Sequence, residues 1–144
     1  MKLYTIGFTG KSAEEFFRIL GNTEAKRLID IRINRKSQLA GFSKENDLKY
    51  FLSELVDFEY VVNENLAPTK ELLSKYRNKE MDWTLFENSY KELIAKRGAI
   101  SNLTEKDFSN SVLLCSEASA NKCHRRILGD MLKGKFDDLE IINL

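Results

Sequence analysis

Short β-branched or apolar runs alternate along the chain with stretches whose apolar residues recur at helical spacing. Parallel strands need crossover connections, usually helices, so this alternation predicts a three-layer α/β fold: a wound, mostly parallel sheet of about five strands flanked by helices. Strands are expected over residues 3–6, 27–31, 58–62, 111–115 and 139–142, the last on the shortest signal.

Between the first two strands, Ser12 and Glu15 have capping-box spacing, Phe16, Phe17 and Leu20 form one apolar face, and Gly21 suits a helix end. Ser43 is expected to cap a second helix, with Leu48, Phe51, Leu52 and Leu55 on its buried side. Two further helical patterns follow: Leu72, Leu73 and Tyr76, then Trp83, Phe86, Tyr90, Leu93 and Ile94, with Asp82 as cap and Gly98 as terminator. The helical spacing of these aromatics favours core packing over a base-stacking or cofactor surface. Residues 102–110 read as a loop with one helical turn. A final helix is expected over 122–132, capped by Asn121, with Ile127, Leu128, Met131 and Leu132 towards the sheet.

No repeat, low-complexity segment or linker interrupts the 144 residues, so one domain over 1–144 is the expectation. No apolar run is long enough to cross a bilayer, and the amino end reads as a strand rather than a signal peptide. The expected setting is therefore cytosolic. A formal net charge of +1 gives no strong field, so charge balance alone does not argue for nucleic-acid binding. Two cysteines are too few for a disulfide framework, which leaves them as candidates for chemistry.

In open parallel sheets ligands bind beyond the carboxyl ends of the strands. Unusual polar residues fall there: Gly7 and Thr9 after the first strand, Asp30 and Arg32 at the second, Asn63 and Asn65 after the third, Cys115 and Glu117 at the fourth. Arg32 offers a planar fork for carboxylate or phosphate, and Asp30, two residues earlier on the same strand face, can orient it. The plainer reading is an internal ion pair at the strand end. Residues 33–42 carry Arg35, Lys36, Ser37 and Gln38 without periodicity, as a basic lid or a solvated loop.

Cys115 ends a buried strand, where burial alone accounts for a cysteine. Glu117 in the next loop is placed to orient a base or a ligand donor, or simply belongs to the loop. With Asn121 as cap, Cys123 falls in the first helical turn, where backbone amides and the helix dipole favour a thiolate. His124, the only histidine, lies on the sheet-facing side of that turn and is either a cleft group or a satisfied structural one. Arg125 and Arg126 oppose the dipole preference at a helix start, which points to an anion met by at least one of them. The candidate catalytic residues are thus Cys115, Glu117, Cys123 and His124; the candidate ligand contacts are Gly7, Thr9, Asp30, Arg32, Ser37 and Arg125.

Thr5-Ile6-Gly7, Asp30-Ile31-Arg32 with Ser37 and Phe42-Ser43, and Leu113-Leu114-Cys115-Ser116-Glu117 with Cys123-His124-Arg125 together resemble the bacterial and archaeal family catalogued as domain of unknown function 488. The resemblance spans nearly the whole chain. Leu66-Ala67-Pro68-Thr69 is similar to one branch of that family, and Arg35 departs from it where proline is common. The resemblance implies a Cys/His/Arg site in an α/β domain and supplies no reaction.

Three readings compete. The first is an enzyme acting on a phosphate-bearing or other anionic small molecule, with a cysteine nucleophile beside His124 and charge binding by Arg32 and Arg125. Asn121 stands where a cysteine phosphatase would carry arginine, which argues against that mechanism. The second is a metal site of Cys115, Cys123, His124 and Glu117, disfavoured by helix neighbours that diverge by about a hundred degrees. The third is a non-enzymatic nucleotide or nucleic-acid binding module using Arg32, Arg35, Lys36, Arg125 and Arg126.

Overall fold

A computed structural model describes residues 1–36, 40–117 and 123–144. Five strands form one sheet: β1 (Lys2–Gly7), β2 (Arg27–Asp30), β3 (Glu59–Val62), β4 (Ser111–Cys115) and β5 (Glu140–Asn143), in the order β3-β2-β4-β1-β5. Every pairing is parallel. The α-helices among the described residues are α1 (Ala13–Gly21), α2 (Glu45–Phe51), α3 (Lys70–Arg77), α4 (Trp83–Arg97), α5 (Glu105–Phe108) and α6 (His124–Lys135). The strands begin and end within one residue of expectation.

Strand alternation divides the core into two layers. Tyr4, Ile6, Leu28, Val112 and Leu114 pack against Phe16, Phe17 and Leu20 of α1 and Leu48 of α2. Leu3, Ile29 and Leu113 face the other way, against Phe86, Tyr90 and Ile94 of α4 and Ile127, Leu128 and Leu132 of α6. β4 lies between β2 and β1 and is covered on both faces, which is why Ser-Val-Leu-Leu-Cys is buried throughout. By the same alternation Cys115 belongs to the α4–α6 face, and Asp30 to the α1–α2 face.

Most caps follow the sequence. Ser12 Oγ accepts from the Glu15 amide, Asp82 from that of Leu85, and Gly98 closes α4 at φ 62°. Thr104 and Asp107 form a capping box on α5, the helical turn expected in that loop. α1 ends at Gly21, with Asn22 as its C-cap. Three details differ. Ser43 sits in a 3₁₀ turn and bonds the Ala40 carbonyl, so α2 starts from Lys44 with no side-chain cap. After Phe51 the chain widens into a π-helical turn, Leu52–Val56. That widening rotates Leu55 off the buried face, leaving it 60% exposed. Finally, α6 begins at His124 with Cys123 itself as N-cap, one step before the first turn in which Cys123 was expected. Asn121 and Lys122 lie outside the described residues, as do Ser37 and Gln38.

Candidate functional site

The carboxyl ends of β1, β2 and β4 carry two polar clusters, one for each face of the sheet. On the α1–α2 side, Asp30 Oδ1 accepts from the Arg32 amide and Nε at 3.1 and 2.9 Å. Its Oδ2 accepts from Arg32 Nη2 at 2.7 Å and from the Tyr60 hydroxyl at 2.6 Å. Arg32 Nη2 also donates to the Ser43 carbonyl, and the guanidinium lies over the Phe8 ring. Asp30 is fully buried and Arg32 is 2% exposed. The ion pair inferred from their spacing is therefore present, and it spends most of the fork internally. Arg32 Nη1 has no hydrogen-bond partner among the described residues. Burial and the adjacent carboxylate push the Tyr60 hydroxyl far above the usual phenol range, so it stays a donor.

On the α4–α6 side the two sulfur atoms, Cys115 Sγ and Cys123 Sγ, are 2.6 Å apart, inside van der Waals contact. Both cysteines are buried and unbridged. Two thiolate charges at that separation repel strongly, so the pair gives up one proton easily and holds the other. Cys115, deep at the end of β4, is the holder: burial raises its thiol, and the hydrogen bond to Cys123 adds to this. Cys123 is held well below the ordinary thiol range by the hydrogen bond from Cys115 and, against the cost of burial, by His124. The Arg125 backbone N–H, in the first turn of α6, also favours the thiolate.

His124 is held by the chain rather than by solvent. Its Nε2 lies 2.9 Å from the Ile31 carbonyl, which can only accept, so Nε2 carries a hydrogen. That leaves Nδ1, 3.8 Å from Cys123 Sγ, as the ring nitrogen facing the thiol. The Tyr90 ring meets the imidazole edge-on, and the Tyr90 hydroxyl bonds the Leu66 carbonyl.

Gly7 and Thr9 bring the loops after β1 and β4 together. A Cβ on Gly7 would lie 1.5 Å from the Glu117 carbonyl oxygen and 3.0 Å from Arg125 Nη1, so only glycine permits this approach. The Thr9 amide and hydroxyl both donate to the Ser116 carbonyl. Arg125 is completely buried behind this junction, where its charge favours the thiolate form of Cys115. The Glu117 side chain is exposed at the rim.

A cavity of about 210 Å³ opens beside the thiols. Cys123, His124 and Arg32 line it together with Glu117, an apolar wall of Pro68, Leu73, Tyr76 and Phe86, and the polar residues Asn34 and Arg77. Cys115 does not reach it. Asn34 and Arg77 continue into two neighbouring hollows, one of which carries Arg35, Lys36 and Lys70. Lys11, in the other, donates to the Gly7 carbonyl; burial, and then Arg125, lower its pKa. Sequence reasoning missed Tyr60, Lys11 and Arg77, and assigned Tyr76 and Phe86 to the core alone. Only Arg77 carried a signal, as a cation at the end of an amphipathic helix.

The remaining candidates scatter. Asn63 donates its amide to the Asp30 carbonyl, and the Asn65 carbonyl accepts from Arg97. Arg35 pairs with Glu64 and Glu45, and Arg126 lies near Glu87 and over Trp83. Among the described residues, no three His, Cys, Asp or Glu side chains converge as metal ligands. No helix among them is long and apolar enough to cross a membrane.

A family model described as domain of unknown function DUF488 matches residues 12–132, and the chain belongs to that family. The match includes both polar clusters and leaves Gly7 and Thr9 outside it. No curated protein and no solved structure matches the chain.

Proposed function

We propose that this DUF488 domain is a thiol-dependent enzyme in which Cys123 is the nucleophile and the substrate is an anionic small molecule. The observation that carries this reading is the position of Cys123: at the start of α6, against Cys115 Sγ and His124 Nδ1, and on the wall of the cavity. A low-pKa thiolate with a neighbouring base and a substrate-sized space is what nucleophilic catalysis requires. Cys115 acts as proton-holding neighbour, and His124 accepts and returns the thiol proton. Arg77 supplies donors for a negatively charged group in the same cavity, and buried Arg32 adds positive charge at its wall.

Nucleic-acid binding through the five arginine and lysine side chains has less support. Arg32 and Arg125 are buried, and Arg35 and Arg126 lie near acidic partners.

The test is alkylation of the reduced protein by iodoacetamide across pH 5 to 9, with each cysteine followed by peptide mass spectrometry. Cys123 is expected to react at a nearly constant rate, because its thiolate is already formed at the acid end. An ordinary thiol speeds up about tenfold per pH unit below about 8.5. If Cys123 follows that alkaline profile, the nucleophile reading is wrong.

A further inference from the structure

We propose that Cys115 and Cys123 form a dithiol centre that reduces small disulfides bearing acidic groups, through an intramolecular Cys115–Cys123 disulfide. The inference rests on Cys123 being the nucleophile and adds the class of substrate and the role of the second thiol. The second sulfur lies inside contact distance of the first, is fully buried and does not line the cavity, so a mixed disulfide on Cys123 would have Cys115 as its immediate sulfur neighbour. That arrangement separates the tasks: Cys123 meets the substrate, and Cys115 attacks Cys123.

The electrons and protons balance within the site. The Cys123 thiolate attacks one sulfur of the disulfide RSSR, forming a Cys123–SR bond while the RS–SR bond breaks. The electron pair leaves on RS⁻, which takes the proton held on His124 Nδ1. His124, neutral again, takes the Cys115 proton; the Cys115 thiolate attacks Cys123 Sγ, the Cys123–SR bond breaks, and the second RS⁻ leaves with that proton. Two protein thiols are oxidised to one disulfide and RSSR is reduced to two RSH. An external dithiol reverses the oxidation by the same exchange.

Charge selects the substrate. Arg32 is almost wholly buried, lines the cavity and has an Nη1 without a hydrogen-bond partner among the described residues. Exposed Arg77 stands at the same cavity, and exposed Lys36 and Lys70 lie in the hollow it adjoins. The acids in that hollow, Glu45 and Glu64, are already engaged by Arg35. The apolar wall of Pro68, Leu73, Tyr76 and Phe86 suits the carbon and sulfur of the disulfide between its acidic ends.

The probe is oxidised glutathione, added to the reduced full chain, with acid quenching, alkylation of remaining thiols and intact and peptide mass analysis. The wild type is expected to lose two hydrogens and gain a Cys115–Cys123 bridge, with two glutathione molecules released per chain. Cys115→Ser should stop at a glutathione adduct on Cys123, and Arg77→Glu should slow the first step on the order of tenfold. A wild type that accumulates the Cys123 adduct without closing overturns the dithiol centre and leaves the nucleophile standing. So does a Cys123 that alkylates at acid pH yet ignores glutathione. Alkylation of Cys123 confined to alkaline pH overturns both proposals. The wild-type outcome decides the matter even if a variant fails to fold.

Discussion

The ends of β2 and β4 bury comparable charge on opposite faces of one sheet and treat it differently. At β2, the Asp30 carboxylate receives four donors from Arg32 and Tyr60, and the Arg32 fork is nearly used up in return. At β4, the charge rests on a sulfur whose partners are another sulfur, an imidazole 3.8 Å away and the first turn of a helix. A buried charge whose hydrogen bonds are all made locally has little left for a substrate. One stabilised by weak, rearrangeable partners and opening on a cavity keeps its lone pairs for chemistry. The contrast fits the proposed function, in which the β2 corner holds the architecture and the β4 corner reacts.

The largest test of that division removes the closed corner. Asp30→Ala strands the Arg32 charge in the interior, and losing one partner of a buried pair costs about 3–5 kcal/mol. Urea denaturation should show a loss of that size. Replacing Arg32 as well, Asp30→Ala with Arg32→Met, should recover part of it, because no uncompensated charge remains. A loss within about 0.5 kcal/mol would mean that the corner is solvated and that the contrast with the thiols is false.

A smaller effect is expected where the loops after β1 and β4 meet. Gly7→Ala places a methyl group against the Glu117 backbone, and overpacking of this kind costs about 1–3 kcal/mol. Because the collision lies next to Arg125 and the chain leading from Cys115, the variant should also change the rate of Cys123 alkylation. A destabilised variant with unchanged Cys123 reactivity would separate the loop junction from the thiol site.

What the sequence disclosed divides along the same line. The strands were legible because buried parallel strands are short apolar runs bounded by polar turns, and Asp30 with Arg32 was legible because a two-residue spacing fixes a shared face. The ordinary helices followed their caps. Leu55 misled because a π turn changes the angular step without any residue type that announces it. Cys123 was placed within one residue of its true position, and its closeness to a helix start was readable. Its contact with Cys115 was not, since eight positions of separation say nothing of distance until β4 and α6 are packed together. Tyr60 and Lys11 reach the site from a neighbouring strand and a loop, and neither belongs to a sequence pattern.

The gentlest test uses pH, and the sign follows from the opposite directions of the two thiols. Cys123 is depressed when folded, so between its folded pKa and the ordinary thiol value near 8.5 the unfolded chain binds the extra proton. Stability from Cys123 is therefore fully present above about 8.5 and is lost as pH falls through the folded pKa. Cys115 is raised, so its contribution is present below about 8.5 and is lost as pH rises towards its own folded value. The pair together should give a stability profile that climbs with pH to the ordinary thiol range and then declines, with a slope of up to about 1.4 kcal/mol per pH unit on either side. Denaturation of the wild type minus that of Cys123→Ser, taken from pH 5 to 8, isolates the rising limb from the carboxylates, which both proteins share. A flat difference would mean that Cys123 folds as an ordinary thiol, and the two corners would then be alike: both closed, neither reactive.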